Sequence, residues 1–234
     1  MAPHNSIRRI LPALLLSFVS VRQALPADGA LVFKLGSFFP GGQSEQWNLN
    51  VETFDFQVAD FNYVMGGVEL DLALTSYIDV ALGLDGYSRR VDSNYRDFVR
   101  EDGSEIQQSF KLKVLPITGG LQFLPLRRFR RLIPHVGAGA GLYYFDYQEG
   151  GEFINGTSFE IVPGTFGDSG VVPGLYVSAG AEFMFSEGID PGEGWFVFGQ
   201  FRRHWASTEL AGDFDHQRLD LGGTELAFGV SLRF

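Results

Sequence analysis

Apolar and polar residues alternate with a period of two along most of this chain, most clearly in its last ten residues. Leu226, Phe228, Val230, Leu232 and Phe234 fall on one face of a strand, and Glu225, Ala227, Gly229, Ser231 and Arg233 on the other, because successive strand side chains point to opposite sides. The same pattern predicts eight strands, approximately at 30–38, 61–74, 77–87, 108–123, 133–147, 172–185, 195–206 and 217–234. Short turns at Thr75-Ser76, 124–132 and 186–194 alternate with long polar loops at 39–60, 88–107, 148–171 and 206–216. Short connections on one side and long ones on the other are the pattern of a transmembrane barrel, with turns in the periplasm and loops outside.

Period alone does not say which face meets lipid, since exchanging inside for outside preserves it. Length and aromatic placement decide. Most of the expected strands run well beyond the five or six residues common in soluble sheets. Trp195 and Trp205 share one face of the seventh strand and stand ten residues apart. At about 3.3 Å per residue and a tilt near 40°, that separation spans roughly 25 Å, the height of an outer-membrane apolar band. The two tryptophans are therefore assigned to its aromatic girdles, with Val197 and Phe201 on the lipid face between them. The expected fold is all-β: an eight-stranded antiparallel up-and-down transmembrane β-barrel.

The opposite face carries charges. Glu69, Asp71, Asp79, Asp85, Lys111, Lys113, Glu182 and Arg202 alternate with apolar neighbours and are assigned to a lumen charge network, a pattern that Lys34, Glu225 and Arg233 share. Eight strands enclose a space that side chains fill, and charges held there must pair. Gly137, Gly139 and Gly141 fall on the same face of the fifth strand. They are expected to make room for bulky residues such as Tyr143, Phe196 and Phe198.

Composition adds the compartment. Arg8 and Arg9 precede the apolar run 10–21, too short to span a bilayer as a helix. Residues 1–27 are thus expected to be a signal peptide cleaved near Ala24 or Ala27, and 28–234 the barrel domain. Removing Arg8, Arg9 and Arg22 from the 18 basic residues leaves 15 against 28 acidic ones, a charge of −13. That balance argues against a nucleic-acid partner. With no cysteine, disulfides, thiolate metal sites and catalytic thiols are excluded.

Three segments carry a family likeness: Lys34-Leu-Gly-Ser-Phe-Phe-Pro40, Pro134-His-Val-Gly-Ala-Gly-Ala-Gly-Leu-Tyr-Tyr144 and Gly229-Val-Ser-Leu-Arg-Phe234. Through them the chain resembles small eight-stranded outer-membrane barrels of the OmpA, OmpX, OmpW and opacity-protein type. The resemblance implies insertion by the barrel-assembly machinery, with Phe228, Val230, Leu232 and Phe234 as the assembly signal. It also implies outer-membrane lipid and lipopolysaccharide as surroundings, a monomer, and no peptidoglycan-binding domain.

Candidate chemistry is sparse. Arg202-Arg203-His204-Trp205-Ala206-Ser207 is similar to the His-x-Ser pair of outer-membrane lipid A deacylases, but its spacing is His-x-x-Ser. Residues three apart on a strand face opposite ways, so His204 and Ser207 are not expected to meet. His135, His204 and His216 are dispersed, and Asp213, Asp215, His216 and Asp220 lack any established metal-ligand spacing. No cofactor, metal or catalytic residue is assigned. The loops are acidic apart from a mixed second loop with Arg89, Arg90, Arg96 and Arg100, while Arg127-Arg128-Phe129-Arg130-Arg131 forms a basic turn on the opposite side. The expected role is non-catalytic, structural or surface-interacting through acidic extracellular loops. The alternatives are an OmpW-like conduit for small apolar molecules and a lipid A-modifying enzyme.

Overall fold

The computed structural model describes residues 28–126, 131–155, 160–188, 193–214 and 216–234, and for Asp213 the backbone alone. The expected leader and Arg127–Arg130 of the basic turn lie outside these residues. The elements in chain order are β1 (Gly29–Pro40), helix α1 (Glu45–Thr53), a 3-10 turn (Val58–Phe61), β2 (Tyr63–Ala73), β3 (Ile78–Val99), β4 (Glu105–Phe123), β5 (Leu132–Ile154), β6 (Ile161–Glu187), β7 (Gly194–Glu209), a second 3-10 turn (Gly212–Phe214), β8 (Arg218–Asp220) and β9 (Gly223–Arg233). Eight long antiparallel strands close into a ring, β1 pairing with β9 and β6 with β7. The short β8 continues the line of β9 along the end of β7.

The register fixes the geometry of the ring. The row of paired residues that starts at Trp205 passes through Leu175, Ala140, Gly119, Leu82, Leu70, Leu31 and Leu232. It returns to β7 at Trp195, ten residues from where it began. Strands in such a staggered barrel must tilt, and Trp195 and Trp205 mark opposite edges of the wall. Outward residues between those edges are apolar and exposed: Leu35 at 59%, Ile117 at 60%, Leu175 at 60% and Phe228 at 63%. An apolar surface this continuous needs lipid, not water, around it.

Two expected loops are strands. Ser88–Val99, Glu105–Gln107, Gln148–Ile154 and Ile161–Val171 extend β3, β4, β5 and β6 into a four-stranded arm that rises above the ring. Their polarity disguised them because outside the membrane the outer face meets water, so the alternation inverts while its period continues. Tyr87, Val91, Phe110, Leu112, Phe145 and Tyr147 point inward and form a core with the first loop. That loop contains α1, which the sequence pattern missed. Trp47 of α1 is fully buried, packs edge-on to Phe61 at 4.9 Å, and donates from Nε1 to the Asp220 carbonyl at 3.2 Å. The helix lies across the extracellular mouth. Its tie to the arm is polar: Gln46 and Asn50 donate to the Glu149 carboxylate at 2.8 and 2.7 Å, and the Tyr147 hydroxyl donates to it at 2.5 Å. Burial, then the adjacent Glu149 charge, push the Tyr147 hydroxyl pKa well up, which keeps it a donor.

Candidate functional site

The lumen holds a charge network in two levels. At the middle of the barrel Lys34 Nζ lies 3.0 Å from Asp85 Oδ2 and 3.6 Å from Glu69 Oε2. The Arg202 guanidinium hydrogen-bonds Glu69, lies 3.4 Å from Asp85, and stacks over the Tyr176 ring at 4.6 Å. Beside it His204 bridges the Tyr143 hydroxyl at 3.0 Å and Glu225 at 3.2 Å. Nearer the periplasm Arg233 holds Glu182 with a two-pronged pair at 2.9 and 3.0 Å and approaches Asp79 at 3.9 Å. Gln122 links the levels by donating to Glu69 at 2.9 Å, and Asp71 lies 3.4 Å from the same amide. Six of the eight residues assigned to the lumen network are therefore buried in it, and Lys34, Glu225 and Arg233 join them.

Lys111 and Lys113 are not. Both lie on the outer face of β4, with Lys111 paired to Asp146 at 3.0 Å and Lys113 over the Tyr144 ring at 5.7 Å. The ten-residue stagger lowers the Trp205 row by roughly four residues by the time it reaches β4. The outer edge of the membrane therefore falls near Leu115 on that strand, and both lysines stand above it. Below the edge β4 faces lipid through Ile117 and Leu121; above it the same face meets water, and Leu112 and Val114 turn inward. A Lys113→Met substitution is expected to change stability by under about 1 kcal/mol, as for exposed charges, measured by urea unfolding of the refolded barrel.

The glycines on β5 do make room, but for a different side chain. A methyl group at Gly139 would come within 2.6 Å of the Tyr176 ring. It is thus Tyr176 of β6, a residue the sequence reading did not single out, that uses the space. Trp195 and Trp205 lie on the outer face of β7 with Val197 and Phe201 between them, as expected. Phe228, Val230 and Leu232 are on the outer face of β9, and the backbone of Phe234 pairs with Gly29.

The enzyme motif does not assemble. His204 is buried in the lumen, whereas Ser207 lies beyond the ring and accepts a hydrogen bond from Arg218 at 3.2 Å. Of the acidic cluster on the last loop, Asp215 and the Asp213 side chain lie outside the described residues. Among the described residues no group of three or more His, Cys, Asp or Glu side chains has metal-binding geometry.

The outer surface of the arm is of mixed charge, with Asp92, Asp97, Glu101, Asp102, Glu105 and Asp146 set among Arg89, Arg90, Arg96, Lys111 and Lys113. Near its tip Arg100 hydrogen-bonds Glu152 and thereby holds that carboxyl below its usual range. The arm has two edges. Loop one covers the β3 edge, where Phe54 bridges Tyr95 and Asp55 donates to the Asn94 carbonyl at 2.9 Å. At the other edge β6 parts from β7. Their pairing starts at Gly174 and Ala206, and Pro173, which has no N–H to give, stands at the fork. Residues 161–173 therefore pair with β5 alone.

No protein-family model matches the chain, and no curated protein sequence matches it. Solved structures do. The outer membrane protein OprG from Pseudomonas aeruginosa aligns over 89% of this chain and 96% of its own, at 12% identity and a TM-score of 0.53. Neisserial surface protein A aligns over 88% and 97%, at 12% identity and a TM-score of 0.46. The attachment invasion locus protein Ail of Yersinia pestis aligns over 88% and 99%, at 15% identity and a TM-score of 0.41. With the closed ring, the stagger and the lipid belt, the OprG alignment settles the architecture: the chain has the fold of the small eight-stranded β-barrels of the bacterial outer membrane.

Proposed function

We propose that this is a non-catalytic surface protein whose barrel anchors the β3–β6 arm outside the cell, and that the arm captures extended segments of other proteins by strand addition along β6. The observation that carries this reading is the unpaired edge of β6 from 161 to 173. An open edge presents a row of backbone N–H and C=O groups that an incoming strand satisfies. Proteins usually blunt such edges with charges. Here Pro163 blunts only the outer end, Ile161, Val162, Thr165, Phe166, Val171 and Val172 favour strand structure, and Asp168, the one charged residue, is turned toward loop four, accepting from the Ala211 amide at 2.8 Å. Among the described residues of 88–113 and 144–173, acids outnumber bases ten to six, a balance that favours a basic segment.

A conduit role has less support. The lumen is crossed by the Lys34–Asp85 and Arg202–Glu69 pairs, and its extracellular mouth is covered by Trp47 and its aromatic neighbours.

The test uses the protein in lipid vesicles and a fluorescent peptide of alternating lysine and valine. Replacing residues 148–167 with a tight turn between Tyr147 and Asp168, which face each other in the register, removes more than half of the open edge and leaves the ring intact, as judged by fast gel migration before boiling. The expected result is salt-sensitive peptide binding to the full chain and at least a tenfold loss in the shortened one. Equal binding by both proteins would overturn the reading.

A further inference from the structure

Between the two edges of the wall, the outward positions of the eight strands are apolar or small with one exception: Arg203 is their single charged residue among those described. It sits on β7 one outward position below Trp205, inside the band that faces lipid. A charged side chain there is disfavoured, least so near the interface, so its presence calls for an anionic partner. One of its five N–H donors is used, by Thr224 Oγ1 at 3.0 Å. Arg218 lies beside it, held by Ser207 Oγ at 3.2 Å. Asp220 shares this end and offsets one of the two guanidinium charges, leaving a net positive end.

The two arginines close the upper end of an open cavity of about 1050 Å³ on the outer wall. It is at the top of the range of about 300–1,000 Å³ for small-molecule pockets. From Trp205 it descends across four neighbouring strands past Leu175 and Leu142 to Ile117 and Leu82, with Ala140 and Gly119 among its lining. Small residues at those two points leave the wall recessed between leucines and isoleucine. A cationic end at the headgroup level above a long apolar recess matches an amphiphile with a phosphorylated head and several acyl chains.

We propose that this recess is a docking site for a phosphorylated, multiply acylated lipid of the outer leaflet, its phosphate held by Arg203 and Arg218 and its chains lying against Leu175, Leu142 and Ile117. Planar, fork-shaped guanidinium donors suit a phosphate, and low dielectric around the recess strengthens the pairing.

The experiment is native mass spectrometry of the full chain in detergent, titrated in parallel with bisphosphorylated hexaacyl lipid A, its dephosphorylated form, phosphatidylglycerol and inorganic phosphate. The expected result is one retained lipid A, at least tenfold weaker retention of the dephosphorylated lipid, and a similar loss in Arg203→Gln with partial recovery in Arg203→Lys. Gly119→Leu supplies an independent variant: a methyl group at this position meets only Leu82 Cδ2, at 3.5 Å, so the substitution fills the recess without disturbing the wall. It is expected to abolish lipid A retention. All variants are checked for fast migration before boiling. Unchanged retention in both Arg203→Gln and Gly119→Leu would overturn the proposal. So would equal retention of phosphatidylglycerol, or displacement of lipid A by millimolar phosphate, which would place the affinity in the anion alone.

Discussion

Arg202→Met is expected to destabilise the refolded barrel by about 3–5 kcal/mol, the range for breaking a buried ion pair from one side. The guanidinium is fully buried and joins Glu69 to Asp85 across the lumen. Its removal leaves Lys34 as the one cation facing both carboxylates, with Glu225 nearby. It also uncovers the Tyr176 ring, on which the guanidinium stacks. Urea unfolding in lipid vesicles measures the loss, and its partner tests the cause. Converting Glu69 to Gln in the same chain removes one of the stranded charges and should recover part of the loss, because residues in one network are not additive. A double variant that falls by the sum of the single losses would mean that the two groups do not form the pair described.

Gly229→Val is expected to prevent closure of the ring. Gly229 on β9 lies opposite Lys34 on β1, at the seam where the last strand meets the first. A Cβ at this position would come 1.8 Å from the Phe33 carbonyl oxygen and 2.9 Å from the Phe198 ring. The first of these is backbone, which no rotamer change relieves. Since β1 and β9 are far apart in sequence and pair at the ends of the chain, a seam that does not zip leaves two open edges. The expected readout is loss of the fast-migrating band before boiling. Gly199→Ala on β7 is the control: it faces outward with no atom within 4 Å of the added carbon, and migration should be unchanged. A normal fast band for Gly229→Val would contradict the seam geometry.

Much of the fold is legible in the sequence. Alternation located all eight wall strands, and the ten-residue spacing of Trp195 and Trp205 turned out to equal the stagger of the ring. The lumen charges of the membrane-spanning segments were also readable, because Glu69, Asp85 and Arg202 alternate with outward neighbours, of which Arg203 alone is charged. The same rule failed at Lys111 and Lys113. Above the membrane edge water replaces lipid on the outer face, so the polar positions exchange faces while their spacing is unaltered. That exchange also concealed the arm, whose polar residues resembled loop sequence. Helix α1 was hidden for another reason. Its buried residues are Gln46, Trp47 and Asn50, a set chosen to meet Glu149 and Tyr147 and carrying no apolar period of 3.6. The lipid recess depends on Gly119, Ala140 and Leu175 being brought side by side by the register of two strand pairs. No local stretch of sequence contains that information.

Which side of the wall meets lipid is tested directly by fluorescence quenching. The chain has three tryptophans, Trp47, Trp195 and Trp205, so double Trp→Phe variants leave one at a time in vesicles containing lipids brominated along their acyl chains. Bromine near the headgroup end is predicted to quench Trp195 and Trp205 strongly, and neither shallow nor deep bromine to quench Trp47, which lies under the loops inside the extracellular mouth. Quenching of Trp47 with Trp195 and Trp205 untouched would mean that the apolar face points inward, and would contradict the account.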